Sequence, residues 1–205
     1  MEPFRRLEAV AAPIDLPNVD TDRIIPARFL RKAPGPGYER YCFHDVRYDG
    51  EGRERPEFIL NQVPYRPARI LVTAENFACG SSREAAVWAL MANGIRCVIG
   101  PSFGDIFFEN SFKNGALPIV VDGALAARLR AALHAAPGAS MTVDLEALVF
   151  TGPDGATHPF QVDAFRRECL LRGQDEIALT LSHEDDIRAF EARQAQEMPW
   201  LEVKT

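Results

Sequence analysis

The chain has 205 residues, 47% hydrophobic and 25% charged, with a formal net charge of −6 at neutral pH. That length can bury a core of its own, and the composition is that of an ordinary globular protein. The acidic surplus argues against a nucleic-acid surface, which needs clustered Lys and Arg, but leaves room for an anionic small molecule in one pocket.

In chain order, "AVAAPI" is a short apolar segment, and "NVDTDRIIPARFL" after it is a loop in which Asp and Asn bond neighbouring backbone groups. "RKAPGPGYER" is a second loop, and residues 38–66 read as polar and irregular, with "YDGEGRERP" an exposed turn. Regular structure starts at "RILVT", a buried strand. A helix over about 82–93 follows, stopped by Asn93-Gly94 and started by the S-x-x-E capping box of Ser81 and Glu84. "RCVIG" is the next strand, 102–114 a helix with an S-x-x-D start at Ser102, and "LPIVV" a third strand. This alternation predicts an α/β fold with a parallel central sheet and crossover helices. Beyond it come an Ala/Leu helix ended by Pro137-Gly138, a strand in "MTVDLEALVF", and a hairpin through "TGPDGATH" into "PFQV". "DAFRRECLLRG" and "EDDIRAFEARQAQ" close the chain as two surface helices. No repeat or linker divides it, so one α/β domain with added antiparallel strands is expected over residues 1–205.

Cys42, Cys79, Cys97 and Cys169 lie far apart with no C-x-x-C pair, which suits a reducing cytoplasm and shows neither cluster nor zinc spacing. His44, His134, His158 and His183 are as scattered, so no metal site is expected. The N-terminus lacks the apolar core of a cleavable signal, and no run approaches the ~18 apolar residues of a membrane span.

The chemistry concentrates in "FACGSSREAAVW", residues 77–88. A helix leaving the C-terminal end of a parallel strand presents free N–H groups and the positive end of its dipole, where α/β sheets place ligands. Arg83 adds a planar fork for a carboxylate, and the same field would stabilise an alkoxide on Ser81. A serine-hydrolase elbow needs G-x-S-x-G, which "CGSSR" lacks. Cys79 as a nucleophile has no histidine assignable to it, and a small buried thiol is its simpler role. A serine/arginine site for a carboxylate remains, and the two aspartates and threonine of "NVDTDRIIPARFL" are its companion segment.

Together with "ENFACGSSRE", "PSFGDIFFENSFKNGALPI" and "VDAFRRECLLRGQDEIALTL", in this order over about residues 10–190, that segment resembles the small subunit of 3-isopropylmalate dehydratase (isopropylmalate isomerase). That family is related to the swivelling C-terminal domain of aconitase. The resemblance implies a swivelling β/β/α fold and a reversible dehydration–rehydration that converts 2-isopropylmalate to 3-isopropylmalate in leucine biosynthesis. It implies a large-subunit partner that carries a [4Fe–4S] cluster, no cofactor on this chain, a dicarboxylate substrate, and neither nucleic acid nor membrane as a partner. Position by position, it makes Ser81 the base for the carbon-bound proton and gives Ser82 and Arg83 the substrate carboxylate. Asp22, with Thr21, lines the same pocket and orients either Arg83 or Ser81. The stretch from Phe29 through Leu30, Arg31 and Lys32 to Gly37 is the loop that senses the substrate's side group. Where family members read "GSSREHAPWAL", this chain has Ala85 for histidine and Val87 for proline. That departure opens the alternative of a related hydroxy diacid, citramalate- or homocitrate-like, as substrate; from a different class, a non-catalytic binding partner that keeps the fold is the other alternative.

Overall fold

The computed structural model of the protein describes residues 1–201. Strands β1 (Arg6–Ile14), β2 (Ile70–Thr73), β3 (Cys97–Gly100), β4 (Leu117–Val120), β5 (Ser140–Asp144), β6 (Val149–Thr151) and β7 (Thr157–Pro159) form one sheet in the order β4-β3-β2-β1-β5-β6-β7. The four from β4 to β1 run parallel, and β5, β6 and β7 add antiparallel neighbours. The α/β architecture expected from the alternating pattern is therefore present, with its antiparallel extension.

The first strand is the part that the sequence disguised. "RLEAVAAPI" is rich in small residues and contains Pro13, which argues against a central strand. Yet β1 is where the parallel and antiparallel halves meet. Arg6 to Val10 pair with β5, and Ala11 to Ile14 pair with β2. The Ala11 N–H donates to the Ala139 carbonyl at the start of β5. By strand alternation the Pro13 nitrogen points the same way, beyond the last β5 rung, where no ladder needs a donor.

Helices α3 (Glu84–Ala92), α4 (Asp105–Asn114) and α5 (Gly123–Ala135) connect the strands, and α6 (Ala164–Arg172), α7 (Glu176–Leu181) and α8 (Glu184–Glu197) follow the hairpin. Adjacent strand residues go to opposite faces, as the pleat requires. Ala12, Leu71 and Val98 lie in one core with α3, whereas Ala11, Ile70 and Cys97 lie in the other with α5 and Leu170 of α6. The segment read as polar and irregular covers the first of these faces. Two single-turn helices, α1 (Thr21–Ile24) and α2 (His44–Arg47), and several 3-10 turns bury Tyr38, Phe43, Leu60 and Tyr65 there.

Four boundaries differ from expectation. Neither serine caps a helix: α3 starts at Glu84 and α4 at Asp105, with no side-chain cap on either. The run over 141–150 is two strands with a turn between them, where Leu148 takes a φ of 56°. The closing helices number three among the described residues, because α7 forms a turn and a half of its own. Asp175 caps it by accepting from the Ala178 N–H at 2.8 Å.

Candidate functional site

Past the C-terminal ends of β1, β2 and β3, three loops continue side by side. The middle loop is tied to the first by a parallel bridge of Asp20 with Cys79 and to the third by one of Phe77 with Phe103. The rungs are Thr21 N–H to Cys79 carbonyl (2.9 Å), Cys79 N–H to Val19 carbonyl (3.2 Å), and Gly104 N–H to Phe77 carbonyl (2.9 Å). Asn76, Ala78 and Gly80 alternate through left-handed backbone, at φ of 57°, 57° and 90°. Such geometry strains an alanine but suits a glycine. A Cβ on Gly104 would fall 2.4 Å from the Ala78 oxygen, so only glycine lets the third loop come this close.

Two side chains of the first loop hold the end of the middle one. Thr21, only 3% exposed, donates its hydroxyl to the Ser81 carbonyl at 2.9 Å. Asp22 accepts from Arg83 Nη1 at 2.5 Å, and the same nitrogen donates to the Ile25 carbonyl at 3.4 Å. The DTD turn thus serves both residues, one side chain for each. The Arg83 side chain is 12% exposed, and its hydrogen bond holds the Asp22 carboxyl below the ordinary value against the desolvation that would raise it.

These ties explain the lost capping box. With Cys79 in the bridge, Ser81 held through its carbonyl and Arg83 extended at φ −143° and ψ 101°, Ser81 does not fold back to cap. Glu84 turns elsewhere, accepting from Asn114 Nδ2 at 2.8 Å. Among the described residues, none accepts from the backbone N–H groups of Gly80, Ser81, Ser82 and Arg83, so four successive donors precede the helix. Together with the helix dipole they favour an anion.

Thr21, Cys79, Ser81 and Arg83 line a cavity of about 330 Å³, which Phe103, Asp105 and Ile106 line from the third loop and α4. Ser82 is exposed and does not line it, nor do Phe29, Leu30, Arg31 and Lys32, and of the expected pair Thr21 lines it whereas Asp22 stays behind Arg83. Phe29 instead stacks on Tyr41 with ring centroids 4.4 Å apart, under the Arg28 guanidinium at 4.5 Å. Arg28 grips Asp45 with two nitrogens, and this pair, helped by His44, lowers the Asp45 carboxyl to about 2. Ile106 and Gly104 escaped the sequence reading. The signal for both was "FGDI", where the glycine passed for part of a helix cap.

Ala85 and Val87 are buried in the core beside α3. The hydrogen bonds that hold Ser81 and Arg83 come from Thr21, Asp22 and Ile25, and none passes through position 85. Two of the four cysteines are poor ligands for an iron–sulfur cluster. Cys42 and Cys97 are buried thiols, Cys42 pushed up to about 12 and Cys97 also raised, whereas a ligand must be a thiolate. Among the described residues, no three His, Cys, Asp or Glu side chains gather to hold a metal ion. No helix among them is long and apolar enough to cross a membrane.

Comparison with known proteins agrees with this layout. Residues 1–124 match a family model of the aconitase C-terminal domain, and residues 176–203 match the C-terminal domain of the 3-isopropylmalate dehydratase small subunit. The protein from Rhodospirillum centenum named 3-isopropylmalate dehydratase small subunit is 54% identical over 200 residues, covering 98% of each chain. Its counterpart from Dinoroseobacter shibae is 50% identical over 201 residues, covering 98% of this chain and all of the relative. A crystal structure of 3-isopropylmalate dehydratase from Methanocaldococcus jannaschii superposes with a TM-score of 0.64 at 26% identity, covering 90% of this chain and 99% of that one.

Proposed function

The chain belongs to the family of 3-isopropylmalate dehydratase small subunits, and on that premise we propose how its residues act in the reaction. The protein is the small subunit of a hydro-lyase that interconverts 2-isopropylmalate and 3-isopropylmalate through 2-isopropylmaleate, in leucine biosynthesis. It works with a large subunit, in the cytoplasm. We assign the [4Fe–4S] cluster of this enzyme class to that large subunit; of the cysteines here, Cys42 and Cys97 are closed off in the core.

The observation that carries the assignment is the pairing of an oriented, nearly buried Arg83 with an exposed Ser81 on one cavity wall. Asp22 and the Ile25 carbonyl engage Nη1 of Arg83, which leaves Nε and Nη2 for a substrate carboxylate. The free N–H groups from Gly80 to Arg83 add donors to the same anion, and the exposed Ser82 hydroxyl can join them. With the carboxylate held, the Ser81 Oγ alkoxide takes the carbon-bound proton, and the hydroxide leaving the neighbouring carbon would be received by the Lewis acid that the large subunit's cluster would supply. Ser81 returns the proton when water adds back in the other sense. A serine alkoxide is a costly base, so the positive field of unpaired amides and Arg83 is what makes the step accessible. Phe29 to Lys32, outside the cavity here, act on the substrate's alkyl group from the adjoining loop.

The test is anaerobic turnover of 2-isopropylmalate by this chain alone, by the mixture with the large subunit, and by the same mixture containing Ser81→Ala. Activity is expected only in the mixture. The alanine variant should lose about 10²–10⁴ in kcat with little change in KM, as removal of a positioned base does. Near-normal turnover with Ser81→Ala would sink the base assignment and leave a binding role.

A further inference from the structure

We propose that the large subunit seats on the outer faces of α7 and α8, with Ile177, Leu181, Ile187 and Phe190 as its apolar anchors. The proposal rests on the small-subunit assignment above. Helix α7 is turned inside out. Ile177 and Leu181, four residues apart and so on one face, are 73% and 61% exposed, while Ala178 and Leu179 are only partly covered. Helix α8 continues the pattern: none of its 14 residues is buried, and Ile187 and Phe190 share an exposed stripe, Phe190 at 53%. A helix of this length is marginal in water unless an apolar face is covered, and the described residues of this chain leave it open.

Helix α4 identifies the occupant. Its first turn, Asp105 and Ile106, lines the Ser81 cavity. Its later turns, Glu109 and Phe112, line a groove of about 490 Å³ that also takes in the exposed Phe165 and Asp175, the cap of α7. Pockets therefore follow one another along α4 from the site to the cap of α7, and a protein that completes the site and fills this groove arrives at the start of α7. The match to the aconitase C-terminal domain ends at residue 124, whereas residues 176–203 match a domain described for the small subunit. The apolar helices thus fall in the part of the chain described for a separate subunit, where a partner must be held without a covalent link.

The experiment measures affinity of the full-length chain for the cluster-loaded large subunit under anaerobic conditions, together with turnover. The double variant Ile177→Asp/Phe190→Asp should bind at least about tenfold more weakly, yet reach wild-type kcat once the large subunit is saturating, because Ser81 and Arg83 are untouched. Phe190→Leu should bind as wild type does. Circular dichroism and unfolding of the isolated variant should match wild type; if they do not, Leu181→Lys replaces it with the same expected weakening. Unchanged affinity in a folded variant overturns the proposal. So does a variant that only disperses a self-associated form of the isolated chain, since the occupant would then be a second copy. Failure of the wild-type chain to bind the large subunit at all overturns the small-subunit assignment itself.

Discussion

Adjacent residues of the DTD turn divide the support of the site between them, and the division can be measured. Asp22→Asn removes the charge that orients Arg83 and leaves the Thr21 bond to Ser81 intact. The expected result is a KM raised roughly tenfold with kcat nearly unchanged, on the scale of one lost charge-assisted bond. Thr21→Val does the reverse: Ser81 is released, and kcat should fall about five- to tenfold while KM holds. If both variants move the same parameter, the two supports are not separate. Because Arg83 depresses the Asp22 carboxyl, the grip is complete above the ordinary carboxylate range and is lost as pH falls through the lowered value. The KM of the wild type should therefore rise only at pH below that range. Ser81, Arg83 and Asp22 were legible in the sequence because their motif keeps them in two short stretches. Which partner served which residue was not, since that depends on a hydrogen bond across 60 positions of sequence.

The elements that were read correctly are those whose pattern is purely local. "ILVT", "CVIG" and "LPIV" are short apolar runs, and each is a strand buried from end to end, apart from Val120. The misread ones depend on tertiary partners. The S-x-x-E box is a sound local signal that the parallel pairing of Cys79 overrides. The S-x-x-D box fails the same way, because the Ser102 hydroxyl accepts from the Asn76 N–H at 2.8 Å instead of capping α4. Gly104 is the element-level test of this arrangement. Gly104→Ala would force a Cβ against the Ala78 carbonyl and push α4 away from the middle loop. A destabilisation of about 1–3 kcal/mol is expected, with a loss of activity larger than the loss of folded protein. Chemical denaturation beside turnover would separate the two, and an unperturbed variant would show that the loops can part at no cost.

At the scale of the whole molecule, acid response follows from the depressed carboxyls of Asp22, Asp45 and Asp49, two of which share one cause. Asp22 and Asp45 lie below their ordinary value of 3.8, Asp45 at about 2, both through arginine partners. Their folded values are lower than their unfolded ones, so their stabilisation is full above the ordinary carboxylate range and is lost as pH falls through the folded value, about 2 for Asp45. Both carboxylates are half exposed, which limits each pair to ~0.2–1 kcal/mol. Asp45→Asn should lower stability by that amount at pH 7 in a urea titration and by clearly less at pH 2, where the Asp45 carboxyl is about half protonated. An equal loss at both would trace the effect to packing around Phe29. The sheet itself has a consequence for how the chain comes into being. Leu7 pairs with Val143, so the first strand made is completed by one of the later ones. Through most of synthesis β1 carries an open edge, and the parallel half can assemble long before the antiparallel half exists to close it. Until then, the shape of the nascent protein depends on keeping that edge from other chains.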